Sequence, residues 1–172
     1  MYGNERLKTG LAYNYAQQVI KLDKTDDWLM SKAKIIIARD EFSAGNYAKS
    51  KTTFEKVVEL SDYDEGAEAK YYLAYLTYLD DSLALSEKMI FELAESYTSD
   101  YFIAKAFILL ADIYVVQKND FQAKATLESI IEKPGDSCIV TLSKNPHDYK
   151  TTDEYIINGP STFIGKIDSG GK

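Results

Sequence analysis

Cysteine and histidine occur once each, at Cys138 and His147. No internal disulfide can form from one thiol, and no Cys/His zinc site can be assembled. The two residues stand nine apart in a turn-rich region, and no basic neighbour in sequence activates the thiol. They read as an ordinary thiol and a surface histidine. Arginine is nearly absent, at Arg6 and Arg39 only, and Lys plus Arg total 20 against 27 Asp plus Glu, a net charge of −7. An acidic chain without a basic face is excluded from neutralising a phosphate backbone. No apolar run reaches the length of a membrane span. The first residues, Met1 to Arg6, lack the basic and apolar regions of a signal peptide. The compartment stays open: the periplasm or cell envelope if the chain is a fragment of an exported protein, otherwise the cytoplasm. No glycine loop that could cradle phosphate is present; Gly170-Gly171 reads as a linker-like end.

Proline is missing from residues 1–133. All three prolines (Pro134, Pro146, Pro160) and five of the nine glycines follow that point. Helices tolerate the first composition and are broken by the second. This break divides the 172 residues into a helical part, 1–133, and an irregular extension, 134–172. Short apolar runs in the extension, Cys138-Ile139-Val140, Tyr155-Ile156-Ile157 and Phe163-Ile164, lie between turn signals and suit one or two short strands.

What is abundant in residues 1–133 is repetition. Ser31-Lys32-Ala33 returns as Ala67-Glu68-Ala69 and as Ala104-Lys105-Ala106, at offsets of 36 and 37 residues. Each triplet is followed by Ile37-Ala38, Leu73-Ala74 or Leu110-Ala111. A second pattern comes next: Ser50, Phe54, Val57, Val58; Ser86, Ile90, Leu93, Ala94; Ala123, Leu127, Ile130, Ile131. Steps of four, three and one mark one face of a helix. The same steps appear earlier as Ala12, Ala16, Val19 and Ile20, a second helix with no first helix before it. That suggests a terminal capping helix or a piece of a longer array. Gly45-Asn46, Asp80-Asp81-Ser82 and Asn119-Asp120 separate the patterns with turn and capping chemistry. Asp62-x-x-Glu65 and Ser99-Asp100 read as helix starts between units. The expectation is seven helices, near 7–22, 27–43, 47–60, 65–79, 82–97, 100–117 and 120–132. Carboxylates such as Asp26-Asp27 and Asp80-Asp81 fall at helix starts, where capping and dipole compensation account for them. No catalytic residue, metal site or cofactor is expected.

Gly45-Asn46-Tyr47, Ser50 and Phe54, with Ala111, Tyr114, Ala123 and Leu127, resemble the tetratricopeptide repeat family, over roughly residues 7–133. The period here is longer than the family's usual 34 residues, and its tryptophan and closing proline are missing. The last unit resembles long tetratricopeptide proteins of the bacterial cell envelope. The resemblance implies an all-α fold, a right-handed α-solenoid of helix-turn-helix repeats. It implies a protein–protein interaction scaffold that binds a peptide or partner protein on the concave face. It assigns that face to Lys32, Ile35, Arg39 and Phe42; to Glu68, Tyr71, Tyr75 and Tyr78; and to Lys105, Ile108, Asp112 and Val115. The family's carboxylate clamp is not expected, because its asparagines are missing.

The expected partner-binding set is Lys32, Arg39, Phe42, Tyr71, Tyr75, Tyr78, Lys105 and Asp112. Tyr71, Tyr75 and Tyr78 share one helical face by spacing, and tyrosine offers a wide contact area with a hydroxyl that can stay wet. With Arg39 and Lys105 beside them, they suit an extended peptide carrying acidic residues. Three other readings stand beside this one. The tyrosines could pack between helices. The array could serve as a structural or oligomerisation module, with a second copy of the chain as its partner in a homo-oligomer, or take a saccharide on the tyrosine stripe.

Overall fold

The computed structural model describes residues 3–22, 24–131, 154–156 and 164–166. Seven helices form the body: α1 (Gly3–Val19), α2 (Asp27–Ser43), α3 (Tyr47–Leu60), α4 (Asp64–Leu79), α5 (Leu83–Ser96), α6 (Asp100–Val116) and α7 (Asp120–Ile131). Two short strands, β1 (Glu154–Ile156) and β2 (Ile164–Lys166), pair antiparallel with Tyr155 opposite Gly165. Cys138, His147, Pro134, Pro146, Pro160 and the boundary expected near Lys133 lie outside the described residues.

The repeat is written in the backbone at three turns. At the end of α2, the N–H of Gly45 donates to the Phe42 carbonyl and that of Asn46 to the Glu41 carbonyl, both at 2.9 Å. At the end of α4, Asp81 donates to Tyr78 at 3.0 Å and Ser82 to Thr77 at 3.1 Å. At the end of α6, Lys118 donates to Val115 at 2.9 Å and Asn119 to Tyr114 at 2.8 Å. This is the Schellman pattern, in which one left-handed residue lets two N–H groups satisfy the last orphan carbonyls. The left-handed residues are Gly45 (φ 76°), Asp81 (φ 58°) and Lys118 (φ 59°), at the same offsets of 36 and 37 as the sequence repeat.

Several expected side-chain caps are missing. Asn46 and Ser82 start α3 and α5, yet neither side chain caps its helix. Both have ψ near 60° instead of the extended value an N-cap needs, and their N–H groups close the preceding Schellman turn. Tyr63, and not Asp62, precedes α4, and Ser99 precedes α6 without a side-chain bond. Asp26 does cap α2, accepting from Leu29 N–H at 2.7 Å, and Asn119 accepts from Gln122 N–H at 3.3 Å.

Each turn joins a first and a second helix into a hairpin: α2 with α3, α4 with α5, α6 with α7. Helix α1 packs on α2, α3 on α4 and α5 on α6, so consecutive helices are in contact throughout. The first helices also touch one another, α2 with α4 and α4 with α6, whereas α3, α5 and α7 make no comparable contact among themselves.

The apolar spacing places the core. Ala38, Ala74 and Ala111 are fully buried, small enough for the helices to close. Phe54, Val57, Ile90, Leu93 and Leu127 of the second helices are buried opposite them. Three clusters run along the stack, around α1 and α2, then α2 to α4, then α4 to α7. Between units, Gly66 leaves room for the Tyr97 ring and the Ser61 carbonyl. A Cβ on it would stand 2.8 Å from the ring and 1.9 Å from the oxygen.

Candidate functional site

Equivalent turns put Arg39, Tyr75 and Asp112 at one register on α2, α4 and α6, and Phe42, Tyr78 and Val115 at the next. Lys32 and Lys105 stand about two turns earlier. The face is formed because the alanines of the first helices turn toward the second helices, which leaves these longer side chains on the other side.

The basic groups are already engaged within the chain. Arg39 donates from Nε and a terminal nitrogen to the two carboxylate oxygens of Glu68, a bidentate pair whose hydrogen bonds raise the guanidinium pKa further. Lys32 pairs with Glu65 and stands 5.5 Å from the centre of the Trp28 ring. Lys105 lies over two rings, 5.7 Å from the centre of Tyr71 and 5.2 Å from that of Tyr101. Partners for Lys32 and Arg39 come from Glu65 and Glu68 on the next first helix, a pairing that no local spacing in the sequence announces.

The tyrosines are more deeply set than a surface stripe. Tyr71 is 2% exposed and Tyr75 7% exposed, while Tyr78 is half-buried. Tyr75 and Tyr78 stack with centroids 6.2 Å apart. Phe42, also half-buried, leans on Tyr75 at 5.9 Å and on Tyr72 at 4.9 Å. Both Tyr71 and Tyr75 thus take part in packing, and Tyr78 with Phe42 forms the more open part of the face. Burial raises the hydroxyl pKa of all three tyrosines, to about 12 for Tyr75.

Tyr72 is the aromatic residue that spacing alone overlooks. It lies one position off the stripe, yet its ring stacks on Phe54 at 4.8 Å and meets Tyr71 edge-on at 5.3 Å. It joins the face to the core between α3 and α4.

Asp112 is the exception on this face. It is 4% exposed, and neither carboxylate oxygen has a hydrogen-bond partner among the described residues. Burial alone pushes its pKa up to about 7. Its charge acts in turn on the hydroxyls of Tyr71, Tyr75 and Tyr78, adding to the effect of burial at each. The unpaired carboxyl therefore lies close to the tyrosine cluster.

Among the described residues, no group of three or more His, Cys, Asp or Glu is placed to hold a metal ion, and no helix is long and apolar enough to cross a membrane. No protein-family model, no curated protein and no solved structure matches the chain.

Proposed function

We propose that the helical body is a right-handed, tetratricopeptide-like solenoid, and that it binds a peptide segment of a partner protein along the face of α2, α4 and α6. The observation that carries this reading is the contact pattern. First helices touch first helices while second helices stand apart, so the first helices form the inner side of an arc. Lys32, Phe42, Tyr78, Lys105 and Ile108 are half-buried on that side, and Arg39 and Val115 are exposed. Concave surfaces of stacked repeats are the surfaces such arrays use for binding. The step from fold to function is analogy, since a fold hosts many functions.

Selection of random displayed peptides on the full chain tests it. A recurring consensus is expected, and Tyr78→Ala should weaken the selected peptides by about tenfold, as removal of an aromatic anchor does. Leu85→Ala, an exposed change on α5, should leave them unaffected. Failure to select any consensus would overturn the reading, as would binding sensitive to Leu85 and indifferent to Tyr78.

A further inference from the structure

Asp112 presents a group that packing does not explain. A carboxylate removed from water is costly unless it is paired or hydrogen-bonded. This one has neither, among the described residues. The chain's own cations on the same face are held elsewhere: Arg39 by Glu68, Lys32 by Glu65, and Lys105 over Tyr71 and Tyr101. Tyr75 occupies the same register on α4 that Arg39 has on α2 and Asp112 on α6, so a tyrosine separates the chain's cation from its unpaired anion.

We propose that the buried carboxylate of Asp112, with the rings of Tyr71, Tyr75 and Tyr78, is the seat for a lysine or arginine side chain of the bound peptide. The proposal rests on the peptide-binding reading above and names what the peptide must carry. Two features select a cation. The carboxylate lacks a donor, and a charged nitrogen supplies one along with the opposite charge. The neighbouring rings attract cations to their faces, as tyrosine does for ammonium and guanidinium groups. An acidic side chain in the same place would set like charges together without water. This reverses the acidic preference that the sequence suggests from Arg39 and Lys105, because Arg39 is neutralised by Glu68 and Lys105 is held over Tyr71 and Tyr101. Tyr78 is the half-buried ring of the three, so it is the ring that an incoming side chain meets first.

The test uses four pools of otherwise random peptides with Lys, Arg, Glu or Gly fixed at the centre, each offered to the full chain. Retention of the Lys and Arg pools is expected to exceed that of the Glu and Gly pools by about tenfold or more. Asp112→Asn, close in shape and without charge, should level the pools while residual binding persists; its thermal unfolding verifies that it folds. Tyr78→Phe, which keeps the ring, should retain the preference. Peptides that bind without preferring a cation, or whose preference survives Asp112→Asn, would overturn this inference and leave the peptide-binding reading standing. No retention from any pool would overturn both. A dimer in light scattering that Asp112→Asn dissolves, with no preference among the pools, would give the seat to a second copy of the chain and overturn the proposal.

Discussion

Ser86 on α5 donates a hydrogen bond of 2.8 Å from Oγ to the carbonyl of Ala74 on α4, and both residues are fully buried. The bond fastens the two helices of one hairpin where they come closest. The equivalent Ser50 instead donates to Tyr47 of its own helix at 3.0 Å, and the third unit has Ala123 at this position. Ser86→Ala should therefore cost about 1 kcal/mol in chemical denaturation, the worth of one buried hydrogen bond. An equal loss from Ser50→Ala would show that the contribution is local to the helix and does not cross the hairpin.

Overpacking the same contact should cost more. Ala74→Leu places three further carbons where the helices leave no space. A loss of about 1–3 kcal/mol is expected, read as a lower midpoint in urea. An unchanged midpoint would mean that the repeat register places the wrong residue at the closest approach.

Two glycines make a controlled pair. Gly66→Ala drives a methyl against the Ser61 carbonyl and the Tyr97 ring, so a loss of about 2 kcal/mol or more is expected. Gly10 lies inside α1, and a Cβ there meets nothing within 4 Å. Gly10→Ala should stabilise by up to about 1 kcal/mol through helix propensity. Circular dichroism melts of both variants check the opposite signs.

Asp112 sets a pH dependence. Its folded pKa, about 7, lies above the ordinary carboxylate value of 3.8. Between those values the folded chain holds a proton that the unfolded chain has released, so stability falls as pH rises through this window and levels off above it. The shift corresponds to about 4 kcal/mol at most. Tyr71, Tyr75 and Tyr78 face the group, and burial keeps all three above their usual range, so they do not titrate in this window. Asp112→Asn should raise the melting temperature at pH 8 and bring little gain at pH 4. A wild-type curve flat from pH 4 to 8 would contradict the buried, unpaired state.

Arg39→Ala should destabilise by about 1 kcal/mol, because it leaves the buried Glu68 carboxylate without its bidentate partner while Arg39 itself is half in water. Arg39→Ala is consequently a poor test of binding, whereas Tyr78→Ala changes a half-buried ring. A double-mutant cycle with Glu68→Gln isolates the pair; a coupling near zero would remove this objection.

The seven helices were legible because alanines and branched residues recur at fixed offsets, and each such run can bury only one face. Gly45 advertised its turn. Asp80-Asp81-Ser82 and Asn119-Asp120 marked the other two turns, but not which residue takes the left-handed conformation, since neither Asp81 nor Lys118 is a residue type that requires a positive φ. On the candidate face, helical spacing lines up Tyr71, Tyr75 and Tyr78 on α4. It could not show that Tyr71 sinks between helices, because that depends on Phe102 and Lys105 of α6. Nor could it show that Glu65 and Glu68 neutralise Lys32 and Arg39, or that Asp112 lacks a partner. Those are relations between helices about thirty residues apart, and no local pattern encodes them.

The contact of α2 with α4 and α4 with α6, without a comparable contact among α3, α5 and α7, has a mechanical consequence. Stiffness lies along one side of the stack. The first helices act as a continuous spine, and the second helices behave as separate slats fixed to it. Bending about the spine changes the gaps among α3, α5 and α7, and it shifts α3 against α4 and α5 against α6. Such a body behaves as a leaf spring, bending more readily about its first helices than along them.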